Sequence, residues 1–219
     1  QGLAYMFHMM NEARIGVGLS SACLGLAGYA ESLRYAGERP QGRHADERDP
    51  TSKPVMIIEH ADVRRMLMVQ KALCEPALSL CFYAARLVDV EKYDADPEQR
   101  AQAHQILDLL TPVVKGWISD ATLRANHEAI QIHGGYGYTR DFQVEQIYRD
   151  NRLNPIHEGT NGIQGLDLLG RKVMRDGGKG LAAFLALVQA DMEAAVAGGF
   201  SADLAGQLQA AMQELAGAT

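Results

Sequence analysis

The chain has 219 residues, 47% apolar and 22% charged, which are values of a globular chain rather than a disordered one. Twenty-one basic against 27 acidic side chains leave a net charge of −6, which argues against general binding to nucleic acid or an anionic membrane. Three cysteines (Cys23, Cys74, Cys81) cannot all pair within one chain and read as free thiols of a reducing compartment.

No basic-then-apolar leader opens the sequence, and Gly, Ser and charged residues interrupt every apolar stretch below spanning length, so a soluble, cytoplasmic protein without membrane contact is expected. Ala, Leu, Met and Gln are plentiful and β-branched alternation is almost absent, which predicts an all-α fold. Residues 3–37 keep a helical period through Leu3, Phe7, Met10, Val17, Leu24 and Ala27, and the spacing places these on one face. Gly16, Gly18, Gly25 and Gly28 each cost roughly 1 kcal/mol of helicity relative to Ala, so this helix needs close tertiary packing. No capping residue precedes Leu3, and the true helix start is expected upstream. Residues 38–56 are charged and hold three prolines, which marks a loop.

Helical spacing resumes over 59–91 through Ala61, Met68, Ala72, Leu80, Tyr83 and Leu87, with a bend expected at Pro76. Asp96-Pro97 is a cap followed by a first-turn proline and opens a helix at Glu98. Thr111-Pro112 offers either a second start or a kink, after which the period runs from Val113 to about Ile132 and stops at Gly134-Gly135. A short helix over 141–150, a loop to His157, a helix from about Gly159 to Met174, an amphipathic segment over 181–197 and a weaker helix toward Thr219 follow. The architecture expected is an up-and-down bundle of four long helices with additional short C-terminal helices.

Several familiar motifs fail on inspection. Gly134, Gly135 and Gly137 close a helix, whereas a dinucleotide loop follows a strand and opens one. Four residues after His157 stands Asn161, not a second His, so a zinc-protease motif is absent, and neither the seven histidines nor Cys74 and Cys81 have ligand spacing; no metal is expected. Residues 131–164 (QIHGGYGYTRDFQVEQIYRDNRLNPIHEGTNGIQ) are harder to explain as a mere connector. Glu158 stands alone there, before Gly159-Thr160, which read as a helix start. A carboxylate so placed is either a cap and dipole partner or a reactive group beside free N–H donors.

This stretch closely resembles the C-terminal helical domain of the flavin-dependent acyl-CoA dehydrogenases. The family pattern of Gln, two residues, Gly-Gly, an aromatic-rich loop, Arg-Asp and then Glu-Gly-Thr is matched in order and spacing by Gln131, Gly134-Gly135, Arg149-Asp150 and Glu158-Gly159-Thr160. Upstream, Asn11-Glu12-Ala13-Arg14 resembles the family's first C-terminal-domain helix, and Glu38-Arg39 falls where the family has Glu-Arg before a flavin-contacting loop. His157, the insertion at 44–58 and the run LDLLGRKV over 166–173 look most like the subgroup that includes the 3-methylmercaptopropionyl-CoA dehydrogenases. The resemblance implies a domain at 1–175 and an additional helical segment at 176–219, with the family's preceding helical and β-domains outside these residues.

The resemblance implies α,β-dehydrogenation of an acyl-CoA thioester, with Glu158 as the α-proton base and the β-hydride passing to the N5 of FAD. Such a base works best as a desolvated carboxylate, and the thioester carbonyl needs donors for the enolate charge. Arg14 and Gly159 are implied at the substrate, and Arg39, Gln131, Gly134, Gly135, Thr160 and Asn161 at the flavin, with Arg39, Gln131 and Gly135 usually acting across a subunit interface. Some family members carry the base at the position of Ala13, which cannot act; Glu12 is the neighbouring carboxylate. Pro40-Gln41-Gly42 and Gly162 depart from the family's flavin-contacting patterns. Expected partners are an acyl-CoA substrate, an electron-transfer flavoprotein or similar acceptor, and further copies of the chain in a homodimer or homotetramer. The first helix, Met66, Met68 and Leu80 are expected to supply the surface between copies. An acyl-CoA oxidase, or a helical interaction or DNA-associated module of the same fold, are the competing readings. The 219-residue chain alone is expected to be folded, colourless and inactive.

Overall fold

The computed structural model describes the backbone of residues 2–174 and 177–217. Among the described residues the regular structure is helical, apart from one isolated antiparallel bridge between Pro40 and Met56. Helix α1 spans Gly2–Glu38, α2 Ala61–Tyr93, α3 Pro97–His133, α4 Gly135–Tyr138 and α5 Val144–Leu153. Helix α6, Asn161–Asp167, runs on as a π-helical turn over Leu168–Val173, and α7 (Lys179–Ala197) and α8 (Ala202–Gly217) follow. The chain divides into two compact units, Gln1–Tyr83 with Val114–Gly162, and Ala84–Val113 with Ile163–Thr219.

In the first unit, α1 packs on α2 and α3 through its small residues. A Cβ on Gly18 would lie 2.8 Å from the Val114 side chain, one on Gly25 2.8 Å from Thr122 and 2.9 Å from the Cys74 sulfur, and one on Gly28 2.4 Å from the Asn126 amide. The stripe completed by Ser21, Ala22, Ser32 and Ala36 is fully buried, so the residues that weaken the isolated helix are those that let it approach its neighbours. These contacts climb α1 and α3 together, so the two helices run parallel. Gln70 of α2 donates to Ser32 Oγ at 3.1 Å and to the Ala125 carbonyl at 3.0 Å, and with Cys74 beside Gly25 this sets α2 antiparallel to both. The succession is up, down, up.

The structure shifts two expected faces. Leu24 and Ala27 do not form the packing seam of α1; with the buried Val17 they line an open cavity, and the small-residue stripe is the seam. On α2, Met68 is exposed and Ala61 and Ala72 with it, whereas Met66, Leu67, Gln70, Cys74, Ala77, Cys81, Ala84 and Leu87 are buried at helical spacing. The polar Gln70 inside that seam hides its phase in the sequence. Of the expected surface between copies, Met66 therefore belongs to the core, packed with Tyr35, Ile57, Leu67 and Ile132. Cys74 and Cys81 are buried free thiols, and burial pushes them up to about 12 and about 11.

Helix α3 continues through Thr111-Pro112 as one 37-residue helix, with neither a second start nor a break. Pro112 is fully buried, Leu109, Leu110 and Val114 near it in the chain are buried too, and the Thr111 hydroxyl donates to the Leu107 carbonyl at 2.7 Å, so burial holds a turn that a proline weakens. The long helices are consequently α1, α2 and α3, at 33 to 37 residues, followed by the 19-residue α7. The short helix expected over 141–150 begins at Val144 and ends at Leu153.

In the second unit, Leu109, Val173 and Leu181 form a small core with Leu168, Phe184 and Leu185 against them. Lys172 pairs with Asp108, and Arg171 lies 3.7 Å from Asp167. Helix α7 corrects the expectation that every apolar stretch is too interrupted to span a bilayer. An 18-residue stretch of this helix has a mean hydropathy of 1.5, and the helix is long and apolar enough to cross a membrane, with 17% of that stretch buried.

Candidate active site

Helix α5 delivers the chain to Glu158. Its buried face (Val144, Ile147, Asn151) sits against the α1–α3 seam, and its outer face is laced by Arg149–Glu145 and Gln146–Asp150 pairs. Asn151 is the hub. Its Oδ1 accepts from Ser21 Oγ at 2.8 Å and from Asn154 Nδ2 at 2.9 Å, and its Nδ2 donates to Asn126 Oδ1 at 2.6 Å. Asn126 in turn donates to the Leu24 carbonyl at 3.0 Å. Every side chain in this network is buried, so each bond is strengthened by the low dielectric and each unmet group would be costly.

Beyond Asn154 the chain turns tightly. The amides of Ile156 and His157 donate to the Leu153 carbonyl at 2.9 and 3.2 Å, and the Asn161 amide reaches back to the Pro155 carbonyl at 3.1 Å. Between them Glu158 has φ +53° and Gly159 φ +86°, and Glu158 is the only non-glycine with positive φ among the described residues. A long side chain in the left-handed region is uncommon and persists where its surroundings over-determine it. Here Lys115 of α3, fully buried, donates from Nζ to the Gly159 carbonyl at 2.7 Å and to Asn161 Oδ1 at 3.2 Å. Ser119, one turn on, donates to the same Asn161 oxygen at 3.1 Å.

Glu158 is exposed and lines the open cavity of about 1030 Å³ between α1 and α5, with Ala13, Val17, Ser20, Leu24 and His157. Arg14 is buried on α1 and lies within electrostatic range of Lys115, as Glu158 does. Burial first, and then the Arg14 guanidinium, push the Lys115 ammonium below its ordinary value, while the Glu158 carboxylate acts in the opposite sense. The helix expected to start at Gly159 starts at Asn161, so Thr160 precedes it.

The remaining predicted residues gather elsewhere. Arg39 directly follows α1, and its guanidinium carbon lies 5.5 Å from the centre of the Tyr136 ring. Tyr35 stacks on His133 at 4.3 Å, and Phe142 packs edge-on to both, which fixes the end of α1 to the end of α3. Gln131, Gly134 and Gly135 lie exposed at that same end, and the Gln131 carbonyl accepts from the Gly134 amide at 3.1 Å. Gly134, with φ +61°, closes α3 as its sequence predicts. From Lys115 to His133 is eighteen residues of one helix, about 27 Å at 1.5 Å per residue. The predicted residues thus form two groups, one around Glu158 and one around Arg39 and Gly134-Gly135.

Residues 1–174 match the acyl-CoA dehydrogenase C-terminal domain. The chain belongs to the acyl-CoA dehydrogenase family. It is 40% identical over 189 residues to 3-methylmercaptopropionyl-CoA dehydrogenase of Ruegeria pomeroyi, covering 86% of this chain and 32% of that protein. It is 39% identical over 172 residues to a butyryl-CoA dehydrogenase of Syntrophomonas wolfei, covering 78% of this chain and 28% of the relative. Among solved structures it is similar to an acyl-CoA dehydrogenase from Bacillus anthracis complexed with FAD, with a TM-score of 0.65 at 25% identity, over 86% of this chain and 32% of that one. This acyl-CoA dehydrogenase domain therefore spans about a third of the length of these relatives.

Sequence reasoning missed the residues that hold the site from behind: Lys115, Ser119, Asn126, Asn151 and Asn154. A signal was present. Lys115, Ser119, Thr122 and Asn126 recur at intervals of four, three and four, the spacing of one helix face.

Proposed function

We propose that this domain supplies the base and part of the cofactor and substrate sites of an FAD-dependent acyl-CoA dehydrogenase, acting in a reducing, cytoplasmic setting. The observation that carries the reading is the cavity between α1 and α5 that ends on Glu158, a carboxylate on a left-handed backbone turn braced from α3. In this reading Glu158 takes the proton from Cα of the thioester, and Arg14 and the backbone at Gly159 flank the acyl group. FAD, when bound, supplies the acceptor for the β-hydride at its N5, and the product is the trans-enoyl thioester.

The second group of residues fits a phosphate-bearing cofactor. Among the described residues the Arg39 Nε is buried without a partner, and a Cβ at either Gly134 or Gly135 would meet nothing within 4 Å, so open backbone and an unmet cationic donor lie at the same end of α1 and α3. Thr160 and Asn161 would contact the same cofactor from the Glu158 side. The separation of about 27 Å along α3 supports a site completed by a second copy of the chain, hence a homodimer or homotetramer. Electrons would leave to an electron-transfer flavoprotein or similar acceptor. An acyl-CoA oxidase would share every step up to that acceptor, and the electron acceptor used by the full-length protein separates the two. DNA-associated reuse of the fold is disfavoured by the net charge of −6 and by the retained Glu158.

The test is Glu158→Gln in the full-length enzyme. Turnover is expected to fall by about a thousandfold while acyl-CoA still binds, because only proton abstraction is lost. Turnover within about tenfold of the parent would move the base elsewhere, with Glu12 the first place to look.

A further inference from the structure

We propose that Lys115 is a positioning residue for the base: its ammonium, reaching from α3, pins Gly159 and Asn161, one and three residues after Glu158, and so fixes where the carboxylate points. The inference rests on Glu158 being the base.

A lysine with no exposed surface in the middle of a helix is unfavourable, since an ammonium taken out of water must recover its lost hydration from nearby acceptors. Leucine or methionine would fill the same volume at lower cost. The acceptors Lys115 has found are both in the Glu158 turn, the Gly159 carbonyl at 2.7 Å and Asn161 Oδ1 at 3.2 Å. Ser119 adds a second donor to that Asn161 oxygen, so the turn is tied to two successive turns of α3. The point of attachment matters because Glu158 and Gly159 both have positive φ. Released, a glutamate relaxes toward the extended or right-handed regions, and its carboxylate swings away from the cavity it now lines.

The experiment uses the full-length enzyme with Lys115→Met and Lys115→Gln. For Lys115→Met, kcat is expected to fall by roughly ten- to a hundredfold, the cost of a misplaced reacting group, with KM within about threefold. Hydrogen exchange at the amides of Gly159, Thr160 and Asn161 is expected to accelerate while that of α2 does not. Lys115→Gln keeps a donor that can reach the same acceptors, so it is expected to recover part of kcat. Unchanged exchange with kcat within twofold overturns the proposal, as does a loss confined to KM. Failure of both variants to fold also overturns it, leaving a lysine needed by the fold alone. The outcomes remain separable from the base assignment: if Glu158→Gln retains turnover the base reading falls, whereas a Lys115 failure beside an inactive Glu158→Gln removes only the brace.

Discussion

The two ends of the α1–α3 pair are built on different physics. Around Lys115 and Asn151 the helices and the Glu158 turn are joined by buried directional hydrogen bonds from Lys, Ser and Asn. Around Arg39 and Gly134 they are joined by ring stacking of Tyr35, His133, Phe142 and Tyr136. Directional bonds fix an atom's position, which a base at a reacting carbon needs. Stacked rings fix a surface and leave an arginine and a glycine backbone open beside it, which suits holding a ligand that other parts of an assembly also grip. One helix pair thus carries two kinds of site, and the difference predicts how each should fail.

The largest stability effect is expected at the polar end. Asn151→Leu strands Ser21, Asn126 and Asn154 inside the core, and should destabilise the fold by about 3 kcal/mol in a denaturant titration. A cost under about 0.5 kcal/mol would show that the network is not structural. At the aromatic end a change should touch binding more than folding. Arg39→Met is expected to weaken FAD affinity of the full-length enzyme by about tenfold, or ~1.4 kcal/mol, with the melting temperature of the apoprotein little changed. The smallest effect is a pH dependence at that same end. Burial lowers the pKa of His133, whose Nδ1 already bonds the Ala129 carbonyl at 2.8 Å, so the folded state prefers the neutral ring. The unfolded chain then binds the extra proton first, so stability is full above about pH 6.5 and declines as pH falls below it. His133→Phe keeps a ring against Tyr35 and is expected to flatten stability between pH 5 and about 6.5. An unaltered slope would assign it to other groups.

The sequence made the aromatic end and the Glu158 turn visible, since glycines, a lone Glu and a Gly-Thr pair are local signals. The all-α class and the loop at 38–56 were equally legible, because helical period and proline clustering are read along the chain. The polar brace was not, because Lys115, Asn126 and Asn151 reach partners 25 to 130 residues away and look locally like surface positions. The apolar face of α1 misled for a related reason: Leu24 and Ala27 carry the hydrophobic period, yet the close packing falls on glycine and serine, which no hydrophobicity pattern weights. Thr111-Pro112 left two readings open because the burial that holds this proline is not visible in the local sequence.

The claim at the centre is that Glu158 moves the α-proton. It is tested most directly with an acyl-CoA whose β-carbon carries no hydrogen, so that the hydride step cannot follow, incubated in deuterated water with the full-length enzyme. Deuterium entering at Cα, followed by NMR, then reports proton abstraction alone. The parent enzyme is expected to exchange the α-position, and Glu158→Gln to slow that exchange by about a thousandfold with the analogue still bound. Exchange at the parent rate in Glu158→Gln would contradict the assignment.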